Sequence, residues 1–323
     1  MPRLAIVISA VDHVELLEGT LVSVLENRPA DCEIIVALNS PYSDPYDLKD
    51  EVRFVQAAAR ASTVAAINAA LSAARAPFVH LLASGCEVTE GWADKALSRF
   101  GDRQVGSVAP LVFDAQNRDC IFAAGVGYRA GGKRYLVGRG LREAAAETQA
   151  SIVGACGFAA FYRKAALDFV GGLSSQLGRR QADVDLALVL KRAGFAVALE
   201  TGSRIYAAAQ VDPPEGPFRQ SLHDERLFWR NLSNAPLRAF CAHAGIVAIE
   251  LLSSFARPRM LAQLAGRMLA CSQFGGYARH HHALDQLGRR AVRPKTPHEH
   301  MRIDRSHKTP AHAEPARAQL HSR

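Results

Sequence analysis

The feature that most constrains this chain is a pair of short, uninterrupted apolar runs, Leu4 to Ser9 (LAIVIS) and Glu33 to Leu38 (EIIVAL), separated by a helical pattern. A strand buried on one face alternates polar and apolar residues, whereas a continuous β-branched run fits a strand covered on both faces of a parallel sheet. Between the runs, Val14, Leu17, Leu21, Val24 and Leu25 recur at helical spacing. Strand, helix and strand in this order form a crossover unit, because parallel neighbours need a connection that carries the chain back to the same end of the sheet. The alternation continues: Val52 to Val55 predicts a third strand, Thr63 to Ala74 an alanine-rich helix, and Pro77 to Leu82 a fourth strand. The class expected is α/β, with a mostly parallel sheet flanked by helices.

From Val105 the pattern changes to glycine-rich short strands, VGSVAPLVF and FAAGVGYRAGGKRYLVG. Neither Gly125-Val126-Gly127 nor Gly131-Gly132 carries the lysine and hydroxyl residue of a phosphate loop, so a mobile hairpin is expected there. An apolar segment, GACGFAAFYRK, leads to Gly171-Gly172. Asp183 to Arg192 (DVDLALVLKR) reads as a helix with Gly194 suited to its C-terminal cap, and Phe195 to Leu199 returns as a strand. Pro213, Pro214 and Pro217 mark a break, followed by helical patterns over Phe218 to Asn231, Pro236 to Phe255 and Pro258 to Cys271. Ala239 to Leu252 is apolar except for His243 and Glu250, short of the roughly 20 residues that cross a bilayer, so a buried or interfacial helix is expected.

Charge narrows the choice of partners. Of the formal net charge of +8, an excess of six lies in Arg289 to Arg323, where nine Lys/Arg face three Asp/Glu. The body is therefore close to neutral, which excludes a nucleic-acid-binding core, and the basic, His- and Pro-rich end is expected to be disordered. Six scattered cysteines without a CxxC pair read as reduced thiols. The apolar run before Asp12 is too short for a signal peptide, so the expected location is cytoplasmic.

Four stretches together resemble the family-2 glycosyltransferases of the GT-A fold: AIVISAVD with EIIVALNS, the helix containing Asn68, HLLASGCEVTEGW, and FVGGLSS followed by QADVDLALVLKRAGF. The resemblance covers Leu4 to Leu199 and implies a Rossmann-like, nucleotide-sugar-binding half over residues 1–110, then an acceptor-binding half of the same domain over residues 111–212. Residues 213–288 form a helical extension, similar to the C-terminal helices of members that act on lipid-linked or surface polysaccharide acceptors, and residues 289–323 a basic tail. What it implies chemically is inverting transfer of a sugar from a nucleotide donor to a polysaccharide or glycolipid acceptor, with Mn²⁺ or Mg²⁺ screening the diphosphate. Peripheral contact with the inner face of the cell membrane, through the basic tail and apolar helices, is expected with it.

Carried over residue by residue, the resemblance makes Asp183 the general base, at the second position of an acidic pair whose first member is Ala182 here. Asp183 and Asp185 also suit a helix N-terminus through its dipole, which is the plain alternative. Donor contacts are implied at Ser9, Ala10, Asp12, Asn39, Asn68, Ser84, Gly85 and Cys86. Gly85 stands where the family carries a metal-binding carboxylate, leaving Glu87 as the first acid in reach, and Ala207 to Gln210 occupy the place of a late histidine ligand. Gly154, Cys156, Arg179 and Arg180 fall on the acceptor side, the two arginines being candidates to neutralise the diphosphate without a metal. A non-catalytic relative that binds a glycan, nucleotide or partner is the other reading that these departures leave open.

Overall fold

The computed structural model describes residues 1–11, 13–58, 61–143, 152–232, 236–255 and 257–292. Its first half runs β1 (Leu4–Ser9), α1 (Leu17–Asn27), β2 (Cys32–Leu38), β3 (Val52–Gln56), α2 (Thr63–Ala73), β4 (Phe78–Ala83), β5 (Cys86–Val88) and α3 (Trp92–Ser98). β1 is buried at every residue, the outcome its β-branched composition calls for, because it is flanked by β2 and β4 in parallel register and covered by helices. Helix α2 starts at a Ser62 cap, whose hydroxyl accepts the Ala65 N–H at 3.2 Å, and buries Val64, Ile67, Ala70 and Leu71 against the sheet.

The second half continues with β6 (Val105–Asp114), β7 (Ile121–Ala123), β8 (Val126–Arg129), β9 (Lys133–Leu136), β10 (Ala159–Arg163), α4 (Lys164–Val170), α5 (Arg179–Arg192) and β11 (Ala196–Ala207). Strands from both halves form one nine-stranded sheet in the order β3-β2-β1-β4-β10-β6-β11-β5, with β7 on β6. β10 runs antiparallel between β4 and β6, so it joins the parallel strands of the first half to the second half. β8 and β9 form a separate hairpin.

Helices α6 (Pro217–Arg230), α7 (Pro236–Ser253), α8 (Pro258–Cys271) and α9 (Phe274–Val292) complete the described chain. α6 and α8 cross closely at Gly266, where an added Cβ would stand 2.4 Å from the Phe218 carbonyl oxygen. Three boundaries differ from the sequence expectation. α5 starts at Arg179 behind an extended Gly178, four residues before Asp183, so the carboxylate lies one turn inside the helix instead of at its dipole-bearing end. β11 continues past a bulge at Glu200/Arg204 to Ala207, held by both β6 and β5. α9 continues to Val292, and the remainder of the expected basic tail, 293–323, lies outside the described residues.

Candidate functional site

Four segments converge at the carboxyl ends of β1 and β4, the edge at which open α/β sheets bind ligands. They are the Ala83–Cys86 turn, the loop before β10, the first two turns of α5, and residues 208–212. The turn is tied to all sides: Ala83 N–H donates to Phe158 O at 2.8 Å, Ser84 N–H to Ser9 O at 3.0 Å, and Gly85 N–H to Thr20 Oγ1 at 2.9 Å. Gly85 O in turn accepts Ala208 N–H at 2.9 Å.

Gly85 has φ +92°, a left-handed conformation that glycine adopts without penalty, and its missing side chain is replaced by apolar neighbours. A Cβ there would meet Leu16 Cδ1 at 3.0 Å, Val211 Cγ1 at 3.2 Å and Ala208 Cβ at 3.6 Å. Glu87 lies on the outward side of the three-residue strand β5, where it pairs with Arg118 at 3.4 Å and is half exposed. Among the described residues no three His, Cys, Asp or Glu side chains cluster as a metal would require. The residues at this turn therefore do not fit a divalent cation, because a hard cation needs converging oxygen ligands and the slot is lined by methyl groups.

Asp183 is 1% exposed and is held by a residue that local sequence pattern does not reveal, Arg134 of β9. The guanidinium grips the carboxylate with two arms, Nε to Oδ1 at 3.0 Å and Nη2 to Oδ2 at 2.8 Å. Gly157 N–H donates to Oδ2 at 3.1 Å, and Arg134 Nη1 reaches Asp212 Oδ2 at 3.0 Å. Burial pushes the Asp183 carboxyl above its ordinary value, while Arg134 and the Gly157 amide pull the other way. Arg180 Nε stands 3.3 Å from Asp212 Oδ1, and Arg179 Nη2 donates to Val211 O at 2.5 Å. Glu215, next to Gly178, is taken up by His223 at 2.7 Å.

The other anticipated residues are placed as follows. Ser9 is buried at the end of β1 with no partner for its hydroxyl, next to Ala10, whose N–H donates to Ala37 O at 3.1 Å. Asp12 lies outside the described residues. Asn39 is half-buried at the end of β2. Asn68 faces away from the turn and clamps the loop before α5, donating to Leu173 O at 2.7 Å and accepting Leu173 N–H at 3.1 Å. Cys86 is buried, its thiol pushed up to about 12 by burial, and contacts Phe158 O at 3.6 Å. Cys156 is buried on the other side of Arg134, and burial pushes its thiol well up as well. Gly154 allows the loop before β10 to pass α5, since a Cβ there would lie 2.3 Å from Ala187 Cβ. Asp183, Gly85, Cys86, Cys156, Arg179 and Arg180 thus come together, whereas Asn68 and Glu87 stand apart.

The arrangement of sheet, cross-linking β10 and covering helices has counterparts among solved glycosyltransferases. A mannosyltransferase, PcManGT from Pyrobaculum calidifontis, in complex with GDP-Man and Mn²⁺, superposes with a TM-score of 0.51 at 16% identity, over 90% of this chain and 87% of that one. GalNAc-T7 with UDP, GalNAc and Mn²⁺ gives 0.59 at 12% identity over 87% of this chain, which spans 55% of its length. Residues 1–349 of TarS from S. aureus give 0.56 at 12% identity, over 89% and 83%. The fold is GT-A. No protein-family model and no curated protein sequence matches the chain. Within this fold, the Gly85 turn stands at the carboxyl ends of β1 and β4, and the Arg134–Asp183 pair lies between β9 and α5.

Proposed function

We propose that this GT-A chain is a glycosyltransferase-like protein that moves a sugar from a nucleotide-sugar donor to a glycan or glycolipid hydroxyl, with inversion and without a metal. The observation that carries the reading is the buried Asp183, set in a cluster whose cations are arginines. In this reading the carboxylate takes the proton of the acceptor hydroxyl, whose oxygen attacks the anomeric carbon opposite the departing nucleoside diphosphate. The raised Asp183 carboxyl favours holding that proton. Arg134 leaves Asp183 for the diphosphate, joining Arg179 and Arg180, so that protein cations take the place of a metal in stabilising the leaving group. The unpartnered Ser9 hydroxyl is available to the donor at the end of β1.

One observation favours a second reading, a non-catalytic relative that binds a nucleotide, a glycan or a partner: Leu16 and Val211 fill the space around Gly85. A thermal-shift screen of nucleotide sugars, with and without Mn²⁺, separates the two. Metal-independent stabilisation by one donor, with turnover lost but binding kept in Asp183→Asn, supports the transferase. Stabilisation that requires Mn²⁺ overturns the metal-free form, and a complete absence of nucleotide binding leaves only a glycan- or partner-binding role.

A further inference from the structure

α7 is built inside out. Its inward face carries its histidine and its one acid: His243 lies between Gly131 O (2.8 Å from Nδ1) and Glu225 (3.0 Å from Nε2), and Glu250 is paired with Lys133 at 2.5 Å and with Arg267. The outward face is apolar from end to end at helical spacing, with Leu237 76%, Ile249 68% and Leu252 73% exposed, continuing to Phe255 at 72%. α8 extends the same texture through Leu261 (68% exposed) and Met268 (72% exposed). A soluble surface helix places these two kinds of residue the other way round.

The charges around this face have one sign. Arg238 lies in the first turn of α7, and Arg257 and Arg259 flank the start of α8; all three are exposed. Between residues 236 and 284 the only acid is Glu250, which points inward into its two ion pairs. Apolar residues that project beside arginines match a bilayer surface that is apolar below its headgroups and anionic at them.

We propose that the outward faces of α7 and α8 dock this protein in the plane of an anionic membrane surface. α7 is long and apolar enough to cross a membrane by length and composition, but two facts assign it a place on the surface instead. Its 18 residues span about 27 Å, less than the ~30 Å hydrocarbon core, and insertion would pull His243 away from Glu225 and Glu250 out of its ion pairs with Lys133 and Arg267. Lying flat, the helix keeps its inward pairs and immerses Leu252 and Phe255 with Arg257 at the headgroups. The proposal stands independently of any transfer activity.

The test is co-flotation of the full chain with phosphatidylcholine vesicles, with and without phosphatidylglycerol, at low and high salt. The wild type is expected to float with the anionic vesicles, and Leu252→Ser/Phe255→Ser to bind about tenfold more weakly or worse, because two immersed side chains are lost while the tail is intact. Both positions face solvent, so an unchanged urea midpoint separates lost docking from a lost fold; if the midpoint moves, Arg257→Gln/Arg259→Gln reads the same face. No flotation of the wild type overturns the proposal. Flotation unaffected by either double variant also overturns it, by assigning binding to the tail alone. So does a wild-type dimer that ignores vesicles and that the Ser variant dissociates, which makes a second copy the occupant.

Discussion

Replacing Arg134 by Met is the sharpest test of how the candidate site is held together. The side chain is 4% exposed and makes its bonds to two carboxylates, Asp183 (1% exposed) and Asp212 (2% exposed). Methionine leaves Asp183 with the Gly157 N–H alone and Asp212 with Arg180 at 3.3 Å. Removing one partner of a buried pair costs about 3–5 kcal/mol, since the remaining charge stays out of water. The loss depends on pH with a definite sign. In the variant, the folded carboxyl of Asp183 lies further above its unfolded value of about 3.9, so the native state is relieved when it takes up a proton. The penalty is therefore larger at pH 7.5 than at pH 5. Urea unfolding of wild type, Arg134→Met, Asp183→Asn and the double variant measures it, and the cycle is expected to return a coupling of about 2 kcal/mol or more. A loss below about 1 kcal/mol that is the same at both pH values would refute the buried pair as the element that closes the site.

Two further outcomes are expected. Gly85→Asp, which supplies the carboxylate that the family resemblance implies at this turn, is expected to bring no Mn²⁺-dependent nucleotide binding and to cost about 2 kcal/mol or more, from the +92° φ and the contact with Leu16 at 3.0 Å; metal-dependent binding at undiminished stability, by thermal shift, would show that the slot accepts a carboxylate ligand. His80, fully buried and stacked on Phe161 at 3.8 Å, is lowered by burial to about 3, so it stays neutral in the fold while the unfolded chain takes up a proton below about pH 6.5. Its share of stability is full above that pH and falls by about 2 kcal/mol at pH 5, a loss that His80→Leu removes; equal pH slopes for the two proteins in urea unfolding would contradict this.

The first half of the fold was legible because its signals are local. Buried parallel strands write themselves as continuous runs, as in β1, and the Ser62 cap and the apolar face of α2 fall within one window. The site was legible only as positions. Asp183 and Gly85 could be located from the motifs around them, but the partners that determine their chemistry come from far away in the chain. Arg134 and Asp183 are 49 residues apart, and Arg134 and Asp212 are 78 apart, within a glycine-rich hairpin and a Pro-flanked loop that have no periodicity to read. Asn68 illustrates the converse: its resemblance to a donor residue is real as a motif, yet its two bonds to Leu173 fix the entrance to α5, 105 residues away. The start of α5 was misjudged for a related reason, since Arg179, Arg180 and Gln181 precede the apolar pattern and are helical through tertiary contacts to Val211, Asp212 and Asp224.

The empty carboxylate position and the arginine cluster belong to one electrostatic arrangement. A metal-dependent diphosphate site concentrates carboxylates to hold its cation. Without that cation, a carboxylate at residue 85 about 4 Å from a diphosphate oxygen would repel it by ~4 kcal/mol at an effective dielectric near 20. Leu16 and Val211 around Gly85 carry no such penalty, and the neighbouring carboxylates, Asp183 and Asp212, are paired with Arg134 and Arg180. What separates the readings is the Arg134–Asp183 pair itself. A buried ion pair is often no more stabilising than well-packed apolar residues of the same volume, so stability alone is a weak account of this pair. Under the proposed transferase reading, this carboxylate, raised by burial and held by a guanidinium on the β8–β9 hairpin, is the group that would take the acceptor proton.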